Sequence, residues 1–293
     1  QKLLQNEQIN INWQNQNDNL QTPFYVACRW GYIDIVKLLL NDNRIDFNKA
    51  DNDGWTPFHS ACCNGRTDIV KLLNDNTADN ELRVDFNKAA NNGWTPFHSA
   101  CGYGHIGIVK SLLNDERVDF NKAEKDGYTP FFIACRWGHI EIVKLLLNDE
   151  RVDINKASND GWTPFHSACA NGHIEIVKLL LNDRKVDINQ TTNNGGYSPF
   201  LITCYHGKTE VVKYLLESER EIDINKKDND GKTGLDYAKE KGNTDIVKLI
   251  ESFQKNPNET RAQLRREFGN FFNLIFEFLL FNFLTLIISL FSF

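Results

Sequence analysis

The nonapeptide Gly-Trp-Thr-Pro-Phe-His-Ser-Ala-Cys occurs three times in this chain, beginning at Gly54, Gly93 and Gly161. Looser copies fill the intervals and extend beyond them. Placing the Thr-Pro step at Thr22, Thr56, Thr95, Thr129, Thr163, Ser198 and Thr233 gives spacings of 34, 39, 34, 34, 35 and 35 residues. A unit of this size cannot bury an apolar face alone. A regular period therefore predicts stacked units, each covering its neighbours, rather than one closed core. The expected fold class is an all-α repeat solenoid.

The residues of one unit carry this reading to local structure. Asn52-Asp53-Gly54 is a turn signal, with Gly free to take positive φ. Thr56 suits a helix N-cap, and Pro57 suits the first helical position, where its missing N–H costs nothing. Phe58, Ala61 and Cys62 then fall on one helical face, and Asn64-Gly65 ends that helix. A second helix follows, with Ile69, Val70, Leu72 and Leu73 as its expected buried residues. Val84-Asp85-Phe86-Asn87 alternates like a brief strand before the next turn.

These residues resemble the ankyrin repeat family, whose pattern is approximately Asp-x-x-Gly-x-Thr-Pro-Leu-His-x-Ala-Ala-x-x-Gly-His-x-x-Ile-Val-x-x-Leu-Leu. Gly161 to Cys169 and Gly172 to Val177 follow it closely, although Ser158 stands where the pattern has its first Asp. The resemblance spans residues 1–253 and recurs in seven units after a partial first one. It implies helix-turn-helix units joined by short β-hairpin loops. Phe replaces the usual Leu and Cys the second Ala. The loop from Asn148 to Asn155 is one residue longer than the family's and has no Gly.

Catalysis finds little support in the residues. Six of the seven cysteines (Cys28, Cys62, Cys101, Cys135, Cys169 and Cys204) share one repeat position. Stacked units would hold them ~10 Å apart, too far for a disulfide or a shared metal. They read as small buried residues in a reducing compartment, with Cys63 more exposed. His59, His98 and His166 share a second position, and His105, His139 and His173 a third. The resemblance implies structural hydrogen-bonding for both sets. No phosphate-binding Gly loop, His-Glu-x-x-His or Gly-x-Ser-x-Gly occurs. A net charge of −6 and a pI near 5.7 provide no basic stripe for nucleic acid. The chain is expected to be a non-enzymatic cytoplasmic monomer, without cofactor or metal.

Function is expected where the units carry more than a scaffold needs. Between the turn Gly and the Thr stand Trp55, Trp94, Tyr128, Trp162 and Tyr197. Before the Gly that ends the first helix come Arg29-Trp30, Tyr103, Arg136-Trp137 and Tyr205-His206. The resemblance places both sets beside the concave groove, and Trp, Tyr and Arg dominate interface hot spots. One reading is a scaffold that binds a protein or peptide partner there. Another is that the rings only shield the hairpins and pack along the stack. A third makes the array the targeting arm of a larger enzyme or channel.

The two ends differ from the middle. Gln1 to Asn12 aligns with Lys37 to Asn48, so the chain opens inside a second helix, and it contains no Met. Both features suggest a fragment with a further unit upstream. An acidic, polar insertion, Asn74 to Leu82, accounts for the spacing of 39. The last unit, near Gly231 to Gly242, is more polar, as a solenoid's end requires. Residues 254–270 read as a charged linker or short amphipathic helix. Residues 271–293 are apolar enough and long enough for a membrane anchor, with the repeats on the cytosolic side. Against the anchor, Glu277 and Asn282 are costly in lipid, and AT-rich non-coding DNA yields similar residues when translated.

Overall fold

A computed structural model describes residues 6, 8–75 and 84–269. Helices come in pairs: α1 (Pro23–Trp30) with α2 (Ile33–Leu40), α3 (Pro57–Cys63) with α4 (Thr67–Asp75), α5 (Pro96–Gly102) with α6 (Ile106–Leu113), and α7 (Pro130–Trp137) with α8 (Ile140–Leu147). The pairs continue as α9 (Pro164–Asn171) with α10 (Ile174–Asn182), α11 (Pro199–Tyr205) with α12 (Thr209–Glu217), and α13 (Gly234–Glu240) with α14 (Thr244–Lys255). A further helix, α15, covers residues 257–269.

Each Thr-Pro or Ser-Pro step is a helix start. Thr22, Thr56, Thr95, Thr129 and Ser198 are extended, and each hydroxyl accepts the N–H three residues on. That bond satisfies a donor the helix itself leaves open. Phe24, Phe58, Phe97, Phe131, Phe165 and Phe200 are all buried, as are the six equivalent cysteines. In the second helices Ile69, Val70 and Leu73 are buried, but Leu72 is only half-buried. At 100° per residue Leu72 lies at the edge of the buried stripe, so the expected four-residue core of this helix narrows to three.

Two compact units result. The first is Gln1–Ala168 with Lys185–Asp187 and Thr192–Asn194; the second takes Cys169–Arg184, Ile188–Thr191 and the chain from Gly195 on.

The expected β-hairpins and strands are absent among the described residues, apart from a single bridge between Asn15 and Gln21. Turns stand in their place. Two backbone bonds close a turn, as from Asp51 N to Trp55 O (2.9 Å) and Gly54 N to Asp51 O (3.1 Å). Successive turns in the first unit join through a backbone bond, to which an asparagine adds its side chain where Asn91 N donates to Asp53 O (2.9 Å) and Asn91 Nδ2 to Asn52 O (2.9 Å). One backbone bond per step makes no ladder. Likewise the stretch at Val84 to Asn87 is a turn, its Asn87 N–H donating to the Asp85 carboxylate at 2.9 Å.

The asparagine that ends this stretch in each repeat has a structural task. Asn121 Nδ2 donates to Arg151 O at 2.6 Å, and its Oδ1 accepts from Asp153 N at 2.7 Å. Asn12, Asn87 and Asn155 make the same two bonds in the first unit, and Asn189 does so in the second. The Gly-less loop depends on an Asp-x-Arg clamp. Asp149 accepts Arg151 N and Nε, while Arg151 Nη2 reaches Leu113 O at 2.7 Å. The Arg151 guanidinium also lies 4.6 Å from the Phe120 ring centroid. Asp42–Arg44 and Asp115–Arg117 repeat the clamp.

In the second unit, α14 runs through Lys255, so the compositional boundary at residue 253 falls inside it. The charged stretch that follows includes α15, and its Phe268 stacks on Tyr214 at 4.1 Å and 6°. Glu267 pairs with Lys213 at 2.6 Å, Arg265 with Glu217 at 3.1 Å, and Leu264 is buried. No helix among the described residues is long and apolar enough to cross a membrane. Residues 1–5 and 7, where the partial first unit was expected, most of the insertion (residues 76–83) and the apolar tail (residues 271–293) lie outside the described residues.

Candidate functional site

Five of the turns hold one aromatic residue apiece, and their backbone is tied down from several sides. In three of them the first residue reaches forward to the N–H of the aromatic one, whereas in the third repeat Trp94 N donates to Asn92 Oδ1 at 3.0 Å. Asp51 Oδ1 accepts from Trp55 N at 2.9 Å, Glu124 Oε1 from Tyr128 N at 3.1 Å, and Ser158 Oγ from Trp162 N at 3.1 Å. Ser158 thus does the work of the family's Asp. Carbonyls of the same residues are held by the preceding repeat: His59 Nε2 meets Trp94 O at 2.9 Å, and His98 Nε2 meets Tyr128 O at 3.0 Å. Each histidine's Nδ1 accepts an N–H from its own N-cap residue, Thr56 or Thr95, so Nε2 carries the proton and donates. Burial pulls both histidines down to about pKa 4. They are neutral at pH 7, as a purely structural hydrogen bond requires.

His105 and His139 also bond to the preceding repeat, through Nε2 to Cys63 O and Gly102 O, both at 2.8 Å. The cysteines are free thiols, buried except for half-buried Cys63. Desolvation raises the pKa of Cys62 and Cys101 well above the usual thiol value. Such thiols are poor nucleophiles. Among the described residues no cluster of three or more His, Cys, Asp or Glu could hold a metal.

The expected site residues form two groups. Trp55, Trp94, Tyr128 and Trp162 in the first unit, and Tyr197 in the second, are half-buried. Four rest on their own helix rather than on one another: Trp55 on His59 (5.7 Å), Trp94 on His98 (6.0 Å), Tyr128 on Phe132 (4.3 Å) and Trp162 on His166 (5.8 Å). Tyr197 lies 6.4 Å from Tyr237. The second group, at the ends of the first helices, is open: Trp30 is 55%, Tyr103 53% and Trp137 58% exposed. Arg29 lies over Trp30 at 5.4 Å. Arg136 lies over both Tyr128 (5.6 Å) and Trp137 (5.9 Å). Trp94 and Tyr103 approach to 6.4 Å, so the two groups meet in the third and fourth repeats.

Two contributors have no obvious signal in the sequence. Gly102 is crowded from two sides; a Cβ there would lie 3.0 Å from Ile133 Cγ2 and 3.2 Å from the Trp94 ring. The turn tips carry exposed Asp53, Asp126 and Asp160, one residue before each turn Gly. Only their recurrence in register with the aromatic residues marks them.

A model of ankyrin repeats, three copies in length, matches residues 1–84, 46–123, 80–158, 116–192 and 184–261. Among curated proteins, none matches the chain. The overlapping family matches cover the whole repeat region, and the chain belongs to the ankyrin repeat family, whose members are generally non-catalytic modules for protein–protein interaction.

Proposed function

We propose that the first unit binds a protein or peptide partner on the side of its turns and first-helix ends. The supporting observation is the exposure of Trp30, Tyr103 and Trp137, each more than half open and all at one repeat position. Trp13 and Tyr32 of the same unit are as open, but only these three rings recur at one repeat position, and exposed aromatic surface of this kind marks interaction sites. Arg29 and Arg136 beside them add a second hot-spot residue type. The half-buried rings of Trp94 and Tyr128 extend the surface inward and are preorganised by their turn hydrogen bonds, which lowers the ordering cost of binding.

Alanine substitution tests the reading. Trp137→Ala and Tyr103→Ala should each weaken a partner recovered by pull-down by at least about 2 kcal/mol, roughly thirtyfold in Kd. Circular dichroism should stay unchanged, because both side chains are exposed. Undiminished binding by the double variant would remove this surface from consideration.

A further inference from the structure

The fourth repeat shows what its turn ring attracts. The Arg136 guanidinium lies 5.6 Å from the Tyr128 centroid, and Tyr128 feels the negative charges of Asp126, Asp160 and Glu124. An aromatic face beside carboxylates suits a guanidinium twice over, through the ring quadrupole and through charge. Arg136 occupies the helix position held by Cys63 in the second repeat and Ala170 in the fifth. Neither can supply a cation.

Those two repeats share the tip Asn-Asp-Gly-Trp, which follows Asp51 in one and Ser158 in the other. Trp55 packs on His59 at 5.7 Å and 52°; Trp162 packs on His166 at 5.8 Å and 52°. Exposed Asp53 and Asp160 stand two residues before the rings. The side-chain contacts of both carboxylates are with neutral amides, Asn19 Nδ2 to Asp53 and Asn194 Nδ2 to Asp160. Among the described residues no cation lies over Trp55 or Trp162. The third repeat differs, with Asn92 in place of the Asp and Trp94 laid over Gly102. In the fourth, Arg136 and Lys125 already offset the tip's negative charge.

We propose that Asp53 with Trp55, and Asp160 with Trp162, are two matched receptors for basic side chains of one extended, arginine-bearing partner segment. This rests on the protein-binding reading above and gives the partner its chemistry. The two tips are three repeats apart. Packed helices lie 8–10 Å apart, so the tips are separated by about 24–30 Å. An extended chain advances about 3.3–3.6 Å per residue, which places the two arginines roughly seven to nine positions apart.

The probe is a fluorescein-labelled Gly/Ser peptide with two arginines about eight positions apart, titrated against the full chain by anisotropy at low ionic strength. Replacing either arginine by glutamine should weaken binding about three- to tenfold, the range for an exposed cation–π contact combined with a surface charge pair. Asp53→Asn and Asp160→Asn should each do the same, with circular dichroism unchanged. Cys63→Arg supplies a guanidinium in cis at the second tip and should lower affinity to that of the single-arginine peptide, with circular dichroism unchanged. Absence of binding, equal binding of a glutamate-bearing peptide, or indifference to both Asp variants would overturn the proposal. The protein-binding reading fails separately, if Trp137→Ala and Tyr103→Ala together leave partner capture intact.

Discussion

At the scale of single residues, the buried histidines make the fold sensitive to mild acid. His59 and His98 are neutral and fully buried, each held between an N-cap residue and the next repeat's turn. Burial outweighs the favourable bond to a carbonyl and lowers both to about pKa 4, against about 6.5 in the unfolded chain. Between those values the unfolded state binds more protons, so stability rises with pH across that window and is lost as pH falls. Urea midpoints of the whole protein should therefore be level above about pH 7 and decline toward pH 4, each histidine removing on the order of 3 kcal/mol. His98→Gln should flatten the decline. A midpoint independent of pH from 7 to 4 would show that these rings are not buried neutral. Asp42 acts in a different window: the Arg44 hydrogen bonds hold it at about pKa 2, so its contribution is lost only below about pH 4.

At the scale of elements, the linking loops bind one repeat to the next. Asn121 makes two short bonds to main chain 30 and 32 residues away. Both partners are backbone groups that water can reach once the side chain is removed, so the cost stays near the lower end for hydrogen bonds. Asn121→Ala should destabilise the first unit by about 1–2 kcal/mol and Asn121→Asp by roughly half that, since Asp keeps the acceptor and loses the donor. Equal losses for the two variants in chemical denaturation would show that the donor, not the pair, carries the effect. The Asp-x-Arg clamp is more exposed, Arg151 being 47% accessible, and contributes chiefly by fixing loop geometry.

At the scale of the molecule, the first unit can be followed by itself. All six tryptophans, from Trp13 to Trp162, belong to it. Tryptophan emission therefore reports its unfolding, while the stack of Tyr214 and Phe268 in the second unit stays silent. Phe131 is fully buried in α7, which packs against α5 and α8. In a stack held by nearest-neighbour contacts a defect in one repeat also weakens the repeat beside it. Phe131→Ala should lower the stability read by tryptophan emission in denaturant by roughly 3–5 kcal/mol. An unchanged midpoint would place Phe131 outside the stabilising core.

The amino-acid sequence by itself determined the period, the helix starts and the buried stripes, because these depend on local chemistry. Thr-Pro caps, turn glycines and residues at i, i+3 and i+4 act within one turn of chain, and repetition multiplied the signal. It also named the aromatic residues, but not how they are divided. Trp30 and Trp137 are open while Trp55 and Trp162 lean on histidines, a difference that arises only when a turn folds back on its own helix. Strand-like alternation at Val84 to Asn87 misled because its asparagine serves the neighbouring repeat, 30 and 32 residues away. Gly102 beneath Trp94 is likewise legible only in three dimensions. Local sequence specifies each unit, whereas which surface stays open to a partner is decided by what the next unit covers.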